Sequence, residues 1–321
     1  MLASQFLIKG LKMWFNNALI YKYDLDNSVD LKSALINDSL KPCPQHARFI
    51  NGWVNTINNE LVHESSGCSL ICMGKEERIL PRAVINRILL ERIEEFEEKN
   101  GHKLKRSDKK SMAEDLEFEL LPKAFCIEKR ILALFDPLTK YLIINSSSNT
   151  QVAEVIKLLK KSIPSITIEP IHFEENLALK FANWISHPAL LPKSLQLGAD
   201  CLLFMPNDER KRFNCKGYEL PADEVLNLLS QGLAVSEISI IWNERIQLTI
   251  TKDFTLKRLK CLDYLVDEFN DLKKNEEDEI AQQDSALILL SGELRSLITD
   301  LIKILKVQTT TETQVAEELI A

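Results

Sequence analysis

The sequence predicts a mixed α/β fold of the α+β kind, and three observations lead there. Ala234 to Lys260 holds three β-rich runs, EISIIW, RIQLTI and FTLKRLK, parted by short turns at Asn243-Glu244 and Lys252-Asp253, which is the pattern of a meander. Leu287, Leu290, Leu294, Leu297, Ile298 and Leu301 recur at helical spacing and predict a long helix with a broad buried face. Ile131 to Ile171 reads as a hairpin around Asp136-Pro137, then a helix capped from Ser146-Ser-Ser-Asn-Thr, then a strand from Ile166, and this order recurs roughly in the next section.

From the start, residues 1–12 read as an extension, because the apolar run is interrupted by Lys9 and Lys12 and is too short for a membrane span or a secretory segment. Met13 to Asp24 suits a first strand. A helix follows from Ser28, with Asn27 or Ser28 as N-cap, and KPCPQHARFINGW reads as a loop because two prolines flank Cys43. Leu61 to Met73 predicts a hairpin turning at Ser65-Ser66-Gly67. Lys75 to Pro81 leads into a long helix, RAVINRILLERIEEFEEKN, stopped by Gly101, with Pro81 in its first turn. With the next helix it forms a projecting hairpin.

Further on, helix is expected over Glu174 to Trp184, a proline-bounded loop at HPALLPKS, and a strand over Leu195 to Phe204. Asp208 to Tyr218 is a basic cluster that carries Arg212 and Lys216 before a helix opened by Pro221. Residues 307–321 read as a frayed tail.

Composition narrows the function. The chain has 321 residues, 45% hydrophobic and 27% charged, enough to bury a substantial core. A net charge of −7 argues against a small basic module that coats nucleic acid by bulk charge, so local patches decide. Seven cysteines without a CxxC pair indicate free thiols in a reducing cytoplasm.

The densest patch is the stretch KLKRSDKKSMAEDLEFELLPKAF. Lys103, Lys105, Arg106, Lys109 and Lys110 open it. Met112, Leu116 and Leu120 then mark a helix that Pro122 stops, which places Lys123 and Phe125 on a turn or a new strand. A cation beside an aromatic at such a boundary suits contact with nucleic acid; the alternative is that Phe125 is a core residue of the strand it opens. The five leading cations are a solvated surface or a track for nucleic acid. Lys257, Arg258 and Lys260 end the meander, and strand alternation turns Lys257 and Arg258 to opposite faces.

No catalytic, metal or cofactor site is predicted. Gly74-Lys75 is followed by Glu76 where a phosphate loop needs Ser or Thr, the five histidines show no HExxH pairing, and Cys68 and Cys72 read as core thiols rather than zinc ligands. Glu94 to Glu98 read as a solvated helix face rather than as metal-binding carboxylates.

KEERILP (Lys75 to Pro81), LLPKAF (Leu120 to Phe125), Gly52-Trp53, ERIQLTI with LKRLK (Leu256 to Lys260), and SGELRSLITDLI occur in an order that resembles the bacterial recombination-associated protein RdgC family, from Met13 to about Lys306. The resemblance implies a unit over 13–306 with centre, tip (about 81–121) and base regions. It implies a horseshoe-shaped monomer of mixed sheets that closes into a ring-shaped homodimer, binds double-stranded and single-stranded DNA with little sequence preference in the cytoplasm at the nucleoid, and restrains RecA-mediated strand exchange. It further implies that Phe125 is an aromatic finger and Lys123 its basic partner, with Lys where some members have Arg, so that the planar fork is lost. A second family contact falls on Gly217-Tyr218, where the charge is missing and Lys216 alone stands in. Two rival functions remain: a regulatory protein that contacts the recombinase with incidental DNA binding, and a metal-dependent nuclease.

Overall fold

The computed structural model describes residues 14–26, 28–56, 59–275 and 278–306. The extension (1–12) and the tail (307–321) lie outside the described residues, as do Met13 and Asn27. The fold is mixed α+β, as the sequence predicts, and its described strands form two antiparallel sheets.

The first sheet holds β1 (Leu19–Asp24), β2 (Phe49–Val54), β3 (Val62–Ser65), β4 (Cys68–Arg78), β5 (Cys126–Asp136), β6 (Tyr141–Ile144) and β7 (Thr167–Pro170) in the order β2-β4-β5-β6-β1-β7, with β3 also on β4. The second holds β8 (Leu195–Met205), β9 (Asp208–Lys216), β10 (Ala234–Trp242), β11 (Ile246–Thr251) and β12 (Leu256–Cys261), in the order β12-β11-β10-β8-β9. The α-helices among the described residues are α1 (Leu31–Ile36), α2 (Arg82–Asn100), α3 (Arg106–Leu120), α4 (Asn149–Ser162), α5 (Leu177–Ser186), α6 (Asp223–Ser230), α7 (Asp263–Asn275) and α8 (Glu279–Leu305).

Strand alternation gives the first sheet two apolar faces. Trp53, Ile71, Met73, Ile131, Ala133 and Phe135 pack under α4 and α1, whereas Leu70, Leu134 and Ile143 join the larger core that the second sheet, α5, α7 and α8 complete. Helix α8 connects both sheets. Its Arg295 forks onto Asp136 of β5 at 2.7 and 3.0 Å, while its Asp300 accepts the Trp242 indole N–H of β10 at 2.9 Å. Its Glu293 also binds Arg245, which reaches Glu268 of α7 as well. All six predicted apolar positions of α8 are buried.

Three expectations need correction. The apolar run at Trp14 and Phe15 is buried as a connection, with the Trp14 indole donating to the Leu259 carbonyl at 3.1 Å, so the first strand begins only at Leu19. Asp30, not Ser28 or Asn27, caps α1, because its carboxylate takes the Lys32 N–H. The predicted loop ends early: past both prolines, Phe49–Val54 pairs with β4, which itself runs on to Arg78. The basic cluster at Asp208 is an edge strand, β9, whose alternation is hidden because most of its residues face solvent.

Helices α2 and α3 are inserted between the paired strands β4 and β5 as the predicted hairpin. Gly101 ends α2 at φ 67°, a left-handed conformation that glycine adopts at no steric cost. Leu116 is the fully buried residue of α3.

Candidate nucleic-acid interface

Pro122 lacks an N–H, so α3 cannot run on regularly and tightens into one 3-10 turn, Leu121–Lys123. Ala124 then becomes extended (φ −76°, ψ 141°), and the Phe125 carbonyl accepts the Ile79 N–H at 2.7 Å, which starts the β4–β5 ladder. The turn is held by Arg78. Its guanidinium donates to the carbonyls of Leu121 (3.2 Å) and Ala124 (3.3 Å) on one side and of Cys43 (3.2 Å) and Pro44 (3.4 Å) on the other. A fixed backbone therefore carries a free side chain: Phe125 is 85% exposed, which removes the core alternative. The Lys123 ammonium is exposed beside it, 3.5 Å from Glu119. Arg92, 2.7 Å away, and then Lys123 hold the Glu119 carboxyl below its usual pKa.

The five cations of the tip surround the start of α3. A helix N-terminus favours anions, and Asp108 alone supplies one in the first turn, so this placement works against the helix and is not explained by its stability. Lys109 meets Glu97 at 3.2 Å, and Lys110 meets Glu114 at 3.6 Å. Glu97 also accepts the Leu104 N–H, the first cause of its lowered pKa, so the acidic end of α2 answers part of the charge within the same chain.

The remaining candidates share one face of the second sheet. On β9, Arg212, Asn214 and Lys216 alternate with Phe213 and Cys215 and stand opposite Phe204, Leu202 and Asp200 of β8. On β12 the alternation expected for Lys257 and Arg258 fails. A bulge falls where Arg258 adopts φ 54°, and Leu256, Leu259 and Cys261 are the buried positions. Lys257, Arg258 and Lys260 therefore all turn outward. Lys257 and Arg258 both reach Glu237, at 2.8 and 3.6 Å, and Arg258 covers the buried Thr249 hydroxyl. Arg212, Lys252 and Lys257 line a cleft of about 190 Å³ beside Asn149, the first residue of α4; Lys216 and Arg258 line an adjoining one of about 90 Å³. Glu209 pairs with Lys252 at 2.8 Å, so much of this charge is neutralised at rest.

The candidates thus fall into three groups: the finger turn, the tip and the sheet face. Arg78 and Lys252 escaped the sequence reading. Nothing in KEERILP distinguishes the one arginine that collects carbonyls, and Lys252 sits in a turn that gave no reason to assign it to the cluster. Cys68 and Cys72 are buried in β4, and burial pushes the Cys72 thiol up to about 11. Among the described residues, no group of three or more His, Cys, Asp or Glu is placed to hold a metal ion, and no helix is long and apolar enough to cross a membrane.

Two antiparallel sheets bound by one long helix, with a helical hairpin rising from a strand pair and an aromatic exposed at its foot, define a mixed α+β protein. A family model described as "Putative exonuclease, RdgC" matches residues 13–308. The chain belongs to the RdgC family. It is 29% identical over 295 residues to a "Recombination-associated protein RdgC" of Pseudoalteromonas translucida (strain TAC 125), covering 90% of this chain and 96% of that protein. To the protein of the same name from Yersinia pestis (strain Pestoides F) it is 30% identical over 299 residues, covering 91% and 98%.

Proposed function

We propose that this chain binds double-stranded and single-stranded DNA without sequence preference, closes as a homodimer into a ring around it, and so restrains RecA-mediated strand exchange at the nucleoid. The observation that carries the reading is the Phe125 side chain, 85% exposed on a backbone clamped by Arg78, with Lys123 beside it. An aromatic ring held out on a rigid support beside a cation is available to a partner. A nucleobase or a base step suits it, by stacking or wedging.

The affinity comes from phosphates. Lysines and arginines at the turn, the tip and the second sheet neutralise backbone charge and release counterions, a gain that ignores sequence and falls with salt. The −7 net charge is compatible with this when the anionic residues face away from the enclosed DNA. Replacement of Lys123 and Phe125 together by alanine lowers affinity for both DNA forms about ten-fold or more in a salt titration while the melting temperature holds. Unchanged affinity removes the finger turn from the site.

The description of the family model as an exonuclease favours testing a second reading. End-labelled DNA incubated with the protein and Mg²⁺ stays intact on the binding reading. Degradation that is abolished by chelation and by replacement of specific carboxylates supports a nuclease instead.

A further inference from the structure

The ladder β2-β4-β5 continues beyond the core that justifies it. Its rows on the α4 side run from Trp53–Met73–Ile131, which is buried, to Asn51–Lys75–Lys129, then Phe49–Glu77–Ile127, and end at Ile79 beside Phe125. In the last two rows every apolar side chain is exposed: Phe49 by 46%, Ile127 by 38%, Ile79 by 44% and Phe125 by 85%. The opposite side of the ribbon is occupied, because Arg78 ties the loop at Cys43 and Pro44 and the turn after α3 against it. One side is therefore packed, and the other is an open stripe of apolar side chains with Glu77 between Phe49 and Ile127. With strands ~4.8 Å apart and a rise of ~3.4 Å per residue, Phe49 and Phe125 stand about 12 Å from each other.

Two lysines adjoin the stripe. Lys75 Nζ lies 3.9 Å from the centre of the Phe49 ring and also bonds Glu154 of α4 at 2.7 Å, while Lys129 meets Glu77 at 2.5 Å. Both are held by carboxylates, so the surface is close to neutral; Lys75 covers one face of the Phe49 ring, and the exposed remainder of that ring together with the Phe125 ring, rather than net charge, is what it offers. A duplex keeps its bases stacked inside and presents phosphates to a flat sheet. An unpaired strand presents the bases themselves, which stack on aromatic side chains of sheet surfaces while nearby cations accompany the backbone.

Building on the DNA-binding reading, we infer that this sheet face is a stacking platform for unpaired bases, with Phe49 as a second aromatic contact, Ile127 and Ile79 as the apolar floor between, and Lys75 and Lys129 beside the connecting phosphates. The finger at Phe125 is one end of the platform. Single-stranded DNA laid across it touches both rings, whereas duplex DNA reaches Phe125 alone.

The test compares an oligothymidylate with a blunt duplex of equal length by fluorescence anisotropy over a range of salt. Phe49→Leu keeps apolar bulk beside Lys75 but removes the π face. It weakens the oligothymidylate about five-fold or more, leaves the duplex unchanged, and leaves the salt slope of both unchanged, because no phosphate contact is lost. Phe49→Trp retains single-strand affinity, and its added indole fluorescence is quenched by the oligothymidylate and not by the duplex. Equal losses on both DNA forms, no loss with Phe49→Leu, or no quenching with Phe49→Trp each overturn the platform. If the wild type binds neither form, the DNA reading falls and the platform with it. If the wild type binds both forms, replacement of Lys123 and Phe125 weakens them and Phe49→Leu does nothing, the platform alone falls.

Discussion

Arg78 does at the scale of one residue what no neighbouring side chain can, because a planar fork with five donors can serve four carbonyls on two separate chain segments. Lysine has three donors at a single point and cannot span them. Arg78→Lys therefore frees carbonyls of the Leu121–Ala124 turn, at a cost of about 1–3 kcal/mol. Amide hydrogens of Ala124 and Ile79 then exchange faster, and DNA affinity falls although Lys123 and Phe125 are untouched. Unaltered exchange at both amides contradicts the clamp. The finger itself was legible, since Pro122 marks where the helix must stop. Its clamp was not, because the two segments it joins lie far apart in sequence and meet only through the ladder. Arg258 is a similar case: a bulge at a non-glycine residue leaves no mark in the residue pattern, yet it reverses which face the side chain takes.

Whole elements were easier to read where one face is buried and the other is wet. The meander, α4, α8 and the hairpin turning at Ser66-Gly67 follow the predicted runs, because burial imposes a period of two or 3.6 that the sequence must keep. Edges lose that period. β9 faces solvent on most of its residues and β2 leaves the core at Phe49, so neither shows the alternation of a central strand. The same loss of period at the end of the β2-β4-β5 ladder conceals the stripe: one exposed Phe or Ile in a charged segment means little until the register gathers four of them on one face around Glu77.

At the scale of the molecule, α8 holds the two sheets in one body, and its bond to Asp136 carries a pH dependence. Asp136 is 1% exposed; burial pushes its carboxyl pKa up, but the Arg295 fork, the Thr139 hydroxyl and the Leu138 N–H outweigh that and leave it below the usual value. A carboxyl depressed in the folded state stabilises fully above its unfolded pKa of about 3.9, and the contribution is lost as pH falls through the folded value. Asp136→Asn leaves Arg295 partly buried without its counter-ion and costs about 3 kcal/mol near neutral pH. Chemical denaturation checks this: the difference between variant and wild type shrinks below about pH 4, and a difference that stays constant into acid contradicts the assignment.

The finger turn and the tip belong to the hairpin inserted in the first sheet and the third cationic group to the second sheet, and the proposed ring gives all three the same partner. Dissociation after a jump to high salt tests this most directly, with protein first loaded at low salt on covalently closed circular duplex or on the same duplex made linear. Salt removes the phosphate contacts equally from both, while only a closed circle retains a ring that surrounds it. The account predicts markedly slower release from the circle. Equal release rates from circle and linear duplex contradict encirclement.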